Sequence, residues 1–146
     1  MNQAFKDCLE RGQITKDLSA KKFVAKELKE ADEDLQNALA SLEKNETKWA
    51  TIQAYYAGFH AVRALLFSRG FRERSHYCLI KAMYALFVDG GPLDARLIKL
   101  LEKIKALREK ADYELEHSRP GAEKAIEVAK ELVQKAGQIV AENRRG

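Results

Sequence analysis

The stretch AYYAGFHAVRALLFSRGFRERSH, residues 54–76, begins as an apolar helix and ends as a basic turn. Apolar side chains fill residues 54–67 without the strict alternation of a strand and without a proline to break the helix. Gly70 suits the left-handed backbone that ends a helix, and Ser75 is a side chain that caps the start of the next. The run of residues 54–67 is interrupted by His60 and Arg63, which makes it too short and too charged to span a bilayer.

Working outward, the punctuation predicts a chain made of helices. A short helix is expected over about 3–11, ending near Gly12. A long one is expected over about 19–44, with Ser19 as its N-cap and Phe23, Val24, Leu28, Ala31, Leu35, Ala38 and Leu42 along one face. Asn45 is expected to cap a second helix over about 46–69, and Ser75 a third over about 76–88, which Asp89-Gly90-Gly91 closes. Pro92 suits the first turn of a fourth helix, about 92–115. Pro120 stands near the start of a fifth, about 120–143, whose stripe of alanine, valine, leucine and isoleucine allows close packing. No strand pattern, linker or repeat competes. Short connections make neighbours antiparallel, so the expected architecture is an all-α, up-and-down bundle of four to five helices in one domain, residues 1–146.

Composition agrees: 46% of residues are hydrophobic and 33% charged, with two prolines and eight glycines in 146 residues. A net charge of +4 permits nucleic-acid contact without requiring it, so local clustering carries more weight. Cys8 and Cys78 stand far apart and show no metal spacing; they read as reduced thiols of a cytoplasmic protein. The polar start, MNQAFKDCLERGQ, does not read as a signal peptide.

Tyr56, His60 and Arg63 fall within roughly 60° of one another on the second helix, inside its apolar arc with Trp49, Ile52 and Phe67. A guanidinium there needs a carboxylate, a subunit interface or a ligand. Arg108 and Asp112, four apart on the fourth helix, flank its apolar face, which makes Asp112 the expected partner of Arg63. The alternative to such a satisfied core network is a cleft or a dimer seam. At the junction of the second and third helices, Arg69, Arg72 and Arg74 surround a helix N-terminus, where free N–H groups and guanidiniums favour an anion. The competing reading is a solvated basic turn paired with Glu73 and surface acids. His60, His76 and His117 show no metal-binding spacing, and neither a glycine-rich phosphate loop nor a paired-carboxylate motif is present. The residues favour a binding module over an enzyme, and no cofactor is expected.

Tyr55-Tyr56, His60, Arg63, Gly70 and His76, followed by Arg108 and Ala111-Asp112-Tyr113, resemble the HEPN domain family in its prokaryotic stand-alone form. The likeness runs from about residue 13 to 140. It implies an antiparallel bundle akin to the substrate-binding subunits of nucleotidyltransferases, homodimerisation, and binding of nucleotides or RNA. It also implies partnership with a minimal nucleotidyltransferase in toxin–antitoxin or defence systems. The family's ribonucleases use an Arg-x(4–6)-His motif at a dimer cleft. Here Arg108 matches the arginine, but Tyr113 stands where the histidine is expected, and His117 is beyond the spacing. Arg69 and His76 fit the spacing but lie between the second and third helices. A tyrosine moves protons poorly near neutral pH.

Three functions follow as expectations. The first is a nucleotide- or RNA-binding dimer using Tyr56, His60, Arg63, Arg69, Arg72, Arg74 and His76, supported by Arg108, Asp112 and Tyr113. The second is a metal-independent ribonuclease using Arg108 with His76 or His117. The third is an interaction subunit whose dimer seam is Tyr56, His60 and Arg63.

Overall fold

The computed structural model describes residues 2–145. Its elements run α1 (Gln3–Glu10), β1 (Ile14–Lys16), a 3₁₀ turn (Leu18–Phe23), α2 (Val24–Glu43), α3 (Thr47–Ser68), β2 (Phe71–Glu73), α4 (His76–Met83), a π turn (Tyr84–Val88), α5 (Ala95–Tyr113) and α6 (Arg119–Arg145). The chain is an all-α bundle, as its periodicity predicts, with one small ribbon added.

α3 is the central element and packs against α2, α5 and α6. Its sequence explains this position, because Ala50, Ala54, Ala57, Gly58, Ala61 and Ala64 are small on several faces and let other helices approach closely. The Cβ that Gly58 lacks would sit 2.9 Å from Leu101 Cδ1 of α5 and 3.3 Å from Leu132 Cδ1 of α6. α2 runs antiparallel to α3: Ser41 bonds the Gln53 amide at 2.7 Å near their joint, and Glu27 meets His60 at the far end. α5 is also antiparallel to α3, since Gly58 faces Leu101 while Tyr56 meets Arg108.

The basic turn departs from the expected loop. Residues 71–73 pair antiparallel with residues 14–16, in the register Ile14 with Glu73, Thr15 with Arg72 and Lys16 with Phe71. Hydrogen bonds from Arg74 N to Gln13 O (2.8 Å) and from Asp17 N to Gly70 O (2.7 Å) extend the ribbon at both ends. Three residues per strand are too few to show alternation, so the pattern was silent in the sequence. Gly70, at φ 79°, makes the reversal that a side chain would strain.

Three helix ends differ in detail. Asp17 rather than Ser19 caps the turn before α2, accepting from Ser19 N at 3.0 Å. Asn45 sits after α2 in left-handed backbone, φ 58°, and Glu46 precedes α3. α5 begins at Ala95 behind Asp94, whose carboxylate accepts from Arg96 N, so Pro92 belongs to the preceding turn. Ser75 caps α4 as expected, accepting from Cys78 N at 3.1 Å. The π turn closes through Asp89 N to Tyr84 O, 2.8 Å, and sinks Phe87 into the core.

The reading of two separate thiols is overturned. Cys8 of α1 and Cys78 of α4 form a disulfide across a sequence separation of 70. The ribbon brings the two helices together, and both cysteines are buried. Nothing in the spacing of two isolated cysteines signals this.

Close packing at Gly58 makes a sharp expectation. Gly58→Val should overpack the α3–α5–α6 junction and destabilise the protein by about 2 kcal/mol. Gly137, inside α6 with open space where its Cβ would point, should tolerate alanine and gain up to about 1 kcal/mol. Thermal melts of the two variants followed by circular dichroism read both signs.

Candidate functional site

The polar stripe of α3 divides into two neighbouring regions. The first is a closed ionic network. Arg63 reaches Glu27 of α2 and Glu73 of β2, each at 3.2 Å, and lies over the rings of Phe67 and Phe59. His60 joins Glu27 through Nδ1 at 3.1 Å and faces Asp34 through Nε2 at 3.7 Å. Glu27 and Glu73 are almost fully buried, with 9% and 8% of their side-chain surface exposed. The expected Arg63–Asp112 pair does not form. Asp112 is instead 3.4 Å from Arg108, one turn back on its own helix, where i,i+4 geometry favours it.

These contacts set the protonation of the network. The hydrogen bond that His60 donates to Glu27 raises the pKa of His60 above its ordinary value, against the pull of partial burial. Burial works to raise Glu27, but the His60 hydrogen bond and the charges of His60, Arg63 and Lys26 outweigh it and lower the carboxyl. Burial raises both Glu73 and Asp34.

The second region is a cleft of about 380 Å³ beside that network. Tyr55, Tyr56 and Phe59 of α3 contribute its aromatic lining, Arg74, Ser75 and His76 one side, and Lys105 and Arg108 of α5 the other, while the Arg63–Glu73 pair lines it where it meets the network. The ribbon and the Ser75 cap place His76 at the first position of α4. Its Nδ1 lies 3.1 Å from the Tyr55 hydroxyl, and its ring stacks on Phe59. Its Nε2 is buried with no hydrogen-bond partner among the described residues.

Across the cleft, Arg108 donates to the Tyr56 hydroxyl at 2.8 Å and lies near the rings of Tyr55, Tyr56 and Tyr113. Its Nε is likewise buried and unpaired among the described residues. Two unmet nitrogens on side chains lining one cleft are unusual, since nearly all buried polar groups find partners.

Burial, reinforced by the Lys105 charge, pushes the His76 pKa down to about 4, so the imidazole is neutral at pH 7. Burial pushes Tyr55 up to about 12, which keeps its phenol protonated. The arrangement therefore offers a neutral imidazole, a protonated phenol and several cations to whatever enters. Guanidinium and ammonium groups converging on a cleft suit an anion with several oxygens.

The other sequence candidates lie elsewhere. Arg72 bonds Asp17 at 2.7 Å and stacks between Phe67 and Phe23, bracing the ribbon. Arg69 lies over Phe87 and donates to Leu86 O at 3.3 Å, tying down the π turn. Only Arg74 of the three turn arginines lines the cleft. His117 faces Thr47 beside a separate pocket lined by Leu107 and Lys110, away from His76. Tyr113 is largely exposed. Lys105 was missed by the sequence reading, although its spacing of three from Arg108 puts both on one face of α5. Among the described residues no group of three or more His, Cys, Asp and Glu is placed to hold a metal ion, and no helix is long and apolar enough to cross a membrane.

The HEPN domain family matches residues 24–140, so the chain belongs to the HEPN domain family. A protein of Methanocaldococcus jannaschii that carries the provisional name of a toxin is 34% identical over 83 residues, covering 57% of this chain and 62% of that protein. A UPF0332 protein of Pyrococcus horikoshii is 33% identical over 78 residues, 53% of this chain and 55% of that one. The matches thus span about three fifths or less of these relatives' lengths. The crystal structure of TT1696 from Thermus thermophilus superposes with a TM-score of 0.64 at 20% identity, covering 80% of this chain and 97% of that one, which establishes likeness of fold.

The two histidines near the site are expected to titrate in opposite directions. The His60 imidazole should remain protonated above its ordinary pKa, while His76 stays neutral until the pH approaches about 4. The sign follows for stability. His60 contributes below its unfolded pKa and loses the contribution as pH rises through the folded value, whereas His76 contributes above its unfolded pKa and loses it as pH falls. Imidazole NMR titration of the wild type, with His60→Gln and His76→Asn to assign the signals, measures both; His60 titrating below His76 would refute the assignment.

Proposed function

We propose that the protein is a binding module for nucleotide or RNA phosphate, seated in the cleft between α3, the start of α4, and α5. The observation that carries this reading is the pair of buried, unpartnered nitrogens, His76 Nε2 and Arg108 Nε, on side chains that line the same cleft. A buried polar group without a partner costs about 1–3 kcal/mol, and a small turn of either side chain toward an anion in the cleft offsets that cost. Arg74 adds charge, Lys105 contributes an ammonium shared with Glu109, and Arg108 presents donors beside aromatic rings on which a base can lie. Arg69 and Arg72 take structural roles in this reading, His60 steadies the network behind the site, and Arg63, paired with Glu73, forms the edge of the cleft. The protein acts in the cytoplasm as a homodimer, with a minimal nucleotidyltransferase as partner in a toxin–antitoxin-type pair. That wider setting rests on the family resemblance and on the name of the M. jannaschii relative.

A second reading, metal-independent RNA cleavage, is favoured by one observation: His76 shares the cleft with Arg108, whereas His117 does not. In that reaction Arg108 would hold the scissile phosphate, and neutral His76 would accept at Nε2 the proton of the 2′-hydroxyl as its oxygen bonds to phosphorus, the 5′-oxygen departing with a proton from the resulting imidazolium or from solvent. A phosphate beside the ring raises its basicity from the low value of the free cleft.

One set of measurements separates the readings. Single-stranded RNA should bind with an affinity that falls roughly tenfold between about 50 and about 200 mM salt, as two or three phosphate contacts require. Arg108→Ala should weaken binding by roughly tenfold or more, from loss of charge-assisted hydrogen bonds, while His117→Ala binds as the wild type does. Salt-insensitive binding would refute the phosphate seat. Gels of the same mixtures read cleavage: loss of cutting in His76→Ala and Arg108→Ala, with cutting kept in His117→Ala, establishes the ribonuclease, and intact RNA with the wild type eliminates it.

A further inference from the structure

His76 and Lys105 line a second cavity on their other side. It also measures about 380 Å³ and opens between α4 and α5. Ile80 and Ala106 give it an apolar part, and Tyr77, Lys81, Glu102 and Glu109 surround that part. The size is within the range of small-molecule sites, and the cavity adjoins the cleft across the two side chains that line both.

Its chemistry differs from that of the cleft. Tyr77 is 61% exposed although it is a large aromatic side chain, and the Lys81 ammonium lies 5.2 Å from the centre of its ring. The cations here, Lys81 and Lys105, are matched by the carboxylates of Glu102 and Glu109, and Lys105 is bonded to Glu109 at 2.6 Å. A second phosphate would meet that pair of acids. A flat, uncharged group that carries N–H donors fits better: it can lie against the Tyr77 ring and donate to Glu102, the carboxylate that Lys105 does not occupy.

We infer that the α4–α5 groove is a nucleobase pocket adjoining the phosphate cleft, so that the ligand is a single strand of at least two nucleotides crossing the His76–Lys105 ridge. The inference rests on the proposed phosphate seat and narrows its ligand from any nucleotide to a polynucleotide. The phosphate lies at the ridge, where the cationic cleft begins. The adjoining base descends toward Ile80 and Ala106, held by Tyr77 on one side and by Glu102 at its hydrogen-bonding edge.

The test compares AMP with a labelled RNA tetranucleotide on the wild type, Tyr77→Ala, Tyr77→Phe, Glu102→Gln and Arg108→Ala. Tyr77→Ala should weaken the tetranucleotide roughly tenfold, as loss of one stacked base does, and leave AMP unchanged. Tyr77→Phe should keep wild-type affinity, because the ring is retained. Glu102→Gln should change the order of affinity among tetranucleotides that differ only in the base at that position. The inference is overturned if Tyr77→Ala weakens AMP equally or weakens neither ligand, while Arg108→Ala still weakens both. It is also overturned if Tyr77→Ala alters only the sedimentation of the protein, which would make the groove a contact between copies. Failure of Arg108→Ala to weaken either ligand strikes the phosphate seat itself, and is thereby distinguished.

Discussion

Arg63 holds together the parts that everything else is built around. From the middle helix it grips Glu27 of α2 and Glu73 of β2, two carboxylates with almost no exposure to solvent. Taken away from its guanidinium, Glu73 would be a buried charge in search of a partner and Glu27 would keep only His60, and orphaned charges are among the most destabilising features a fold can contain. The bond to Glu73 has a further effect. It fixes the end of β2, and from that end the chain proceeds directly through Arg74 and the Ser75 cap to His76. The position of one arginine therefore determines where the imidazole enters the cleft.

The density of cations at the end of α3 is explained by a division of labour. Arg72 braces the ribbon through Asp17 and two phenylalanines. Arg69 secures the π turn. Arg74 alone turns toward the cleft, where Lys105 and Arg108 from a distant part of the chain meet it. A cluster that is uniform in sequence is thus heterogeneous in space, and the cationic surface of the site is assembled mainly from elsewhere.

This is also where reading the sequence succeeds and where it stops. Helices were legible because their apolar periodicity, Gly70 and Ser75 are local signals, and local geometry obeyed them. The ribbon was not, because each strand is too short to alternate. The Cys8–Cys78 bond and the Arg63–Glu27 pair depend on which elements become neighbours, information that one-dimensional spacing does not hold. Asp112 was correctly placed on the flank of its helix, yet Arg108, one turn away, reached it first. Of the cleft, Tyr56, Arg63, Arg74, His76 and Arg108 stood out individually as polar residues in or beside apolar runs. Their convergence, and the part of Lys105, follow only from the antiparallel crossing of α3 and α5.

The cross-link between Cys8 and Cys78 encloses β1, α2, α3 and β2 in a covalent loop. Tyr55, Arg74 and His76 belong to that loop, while Lys105 and Arg108 lie outside it and reach the cleft without a covalent tie, by helix packing and the Arg108–Tyr56 hydrogen bond. The two walls are consequently different mechanical bodies. One remains tethered even when its tertiary packing loosens; the other keeps its place only through its packing and the Arg108–Tyr56 hydrogen bond. Any molecule that spans the gap acts as a clasp between them.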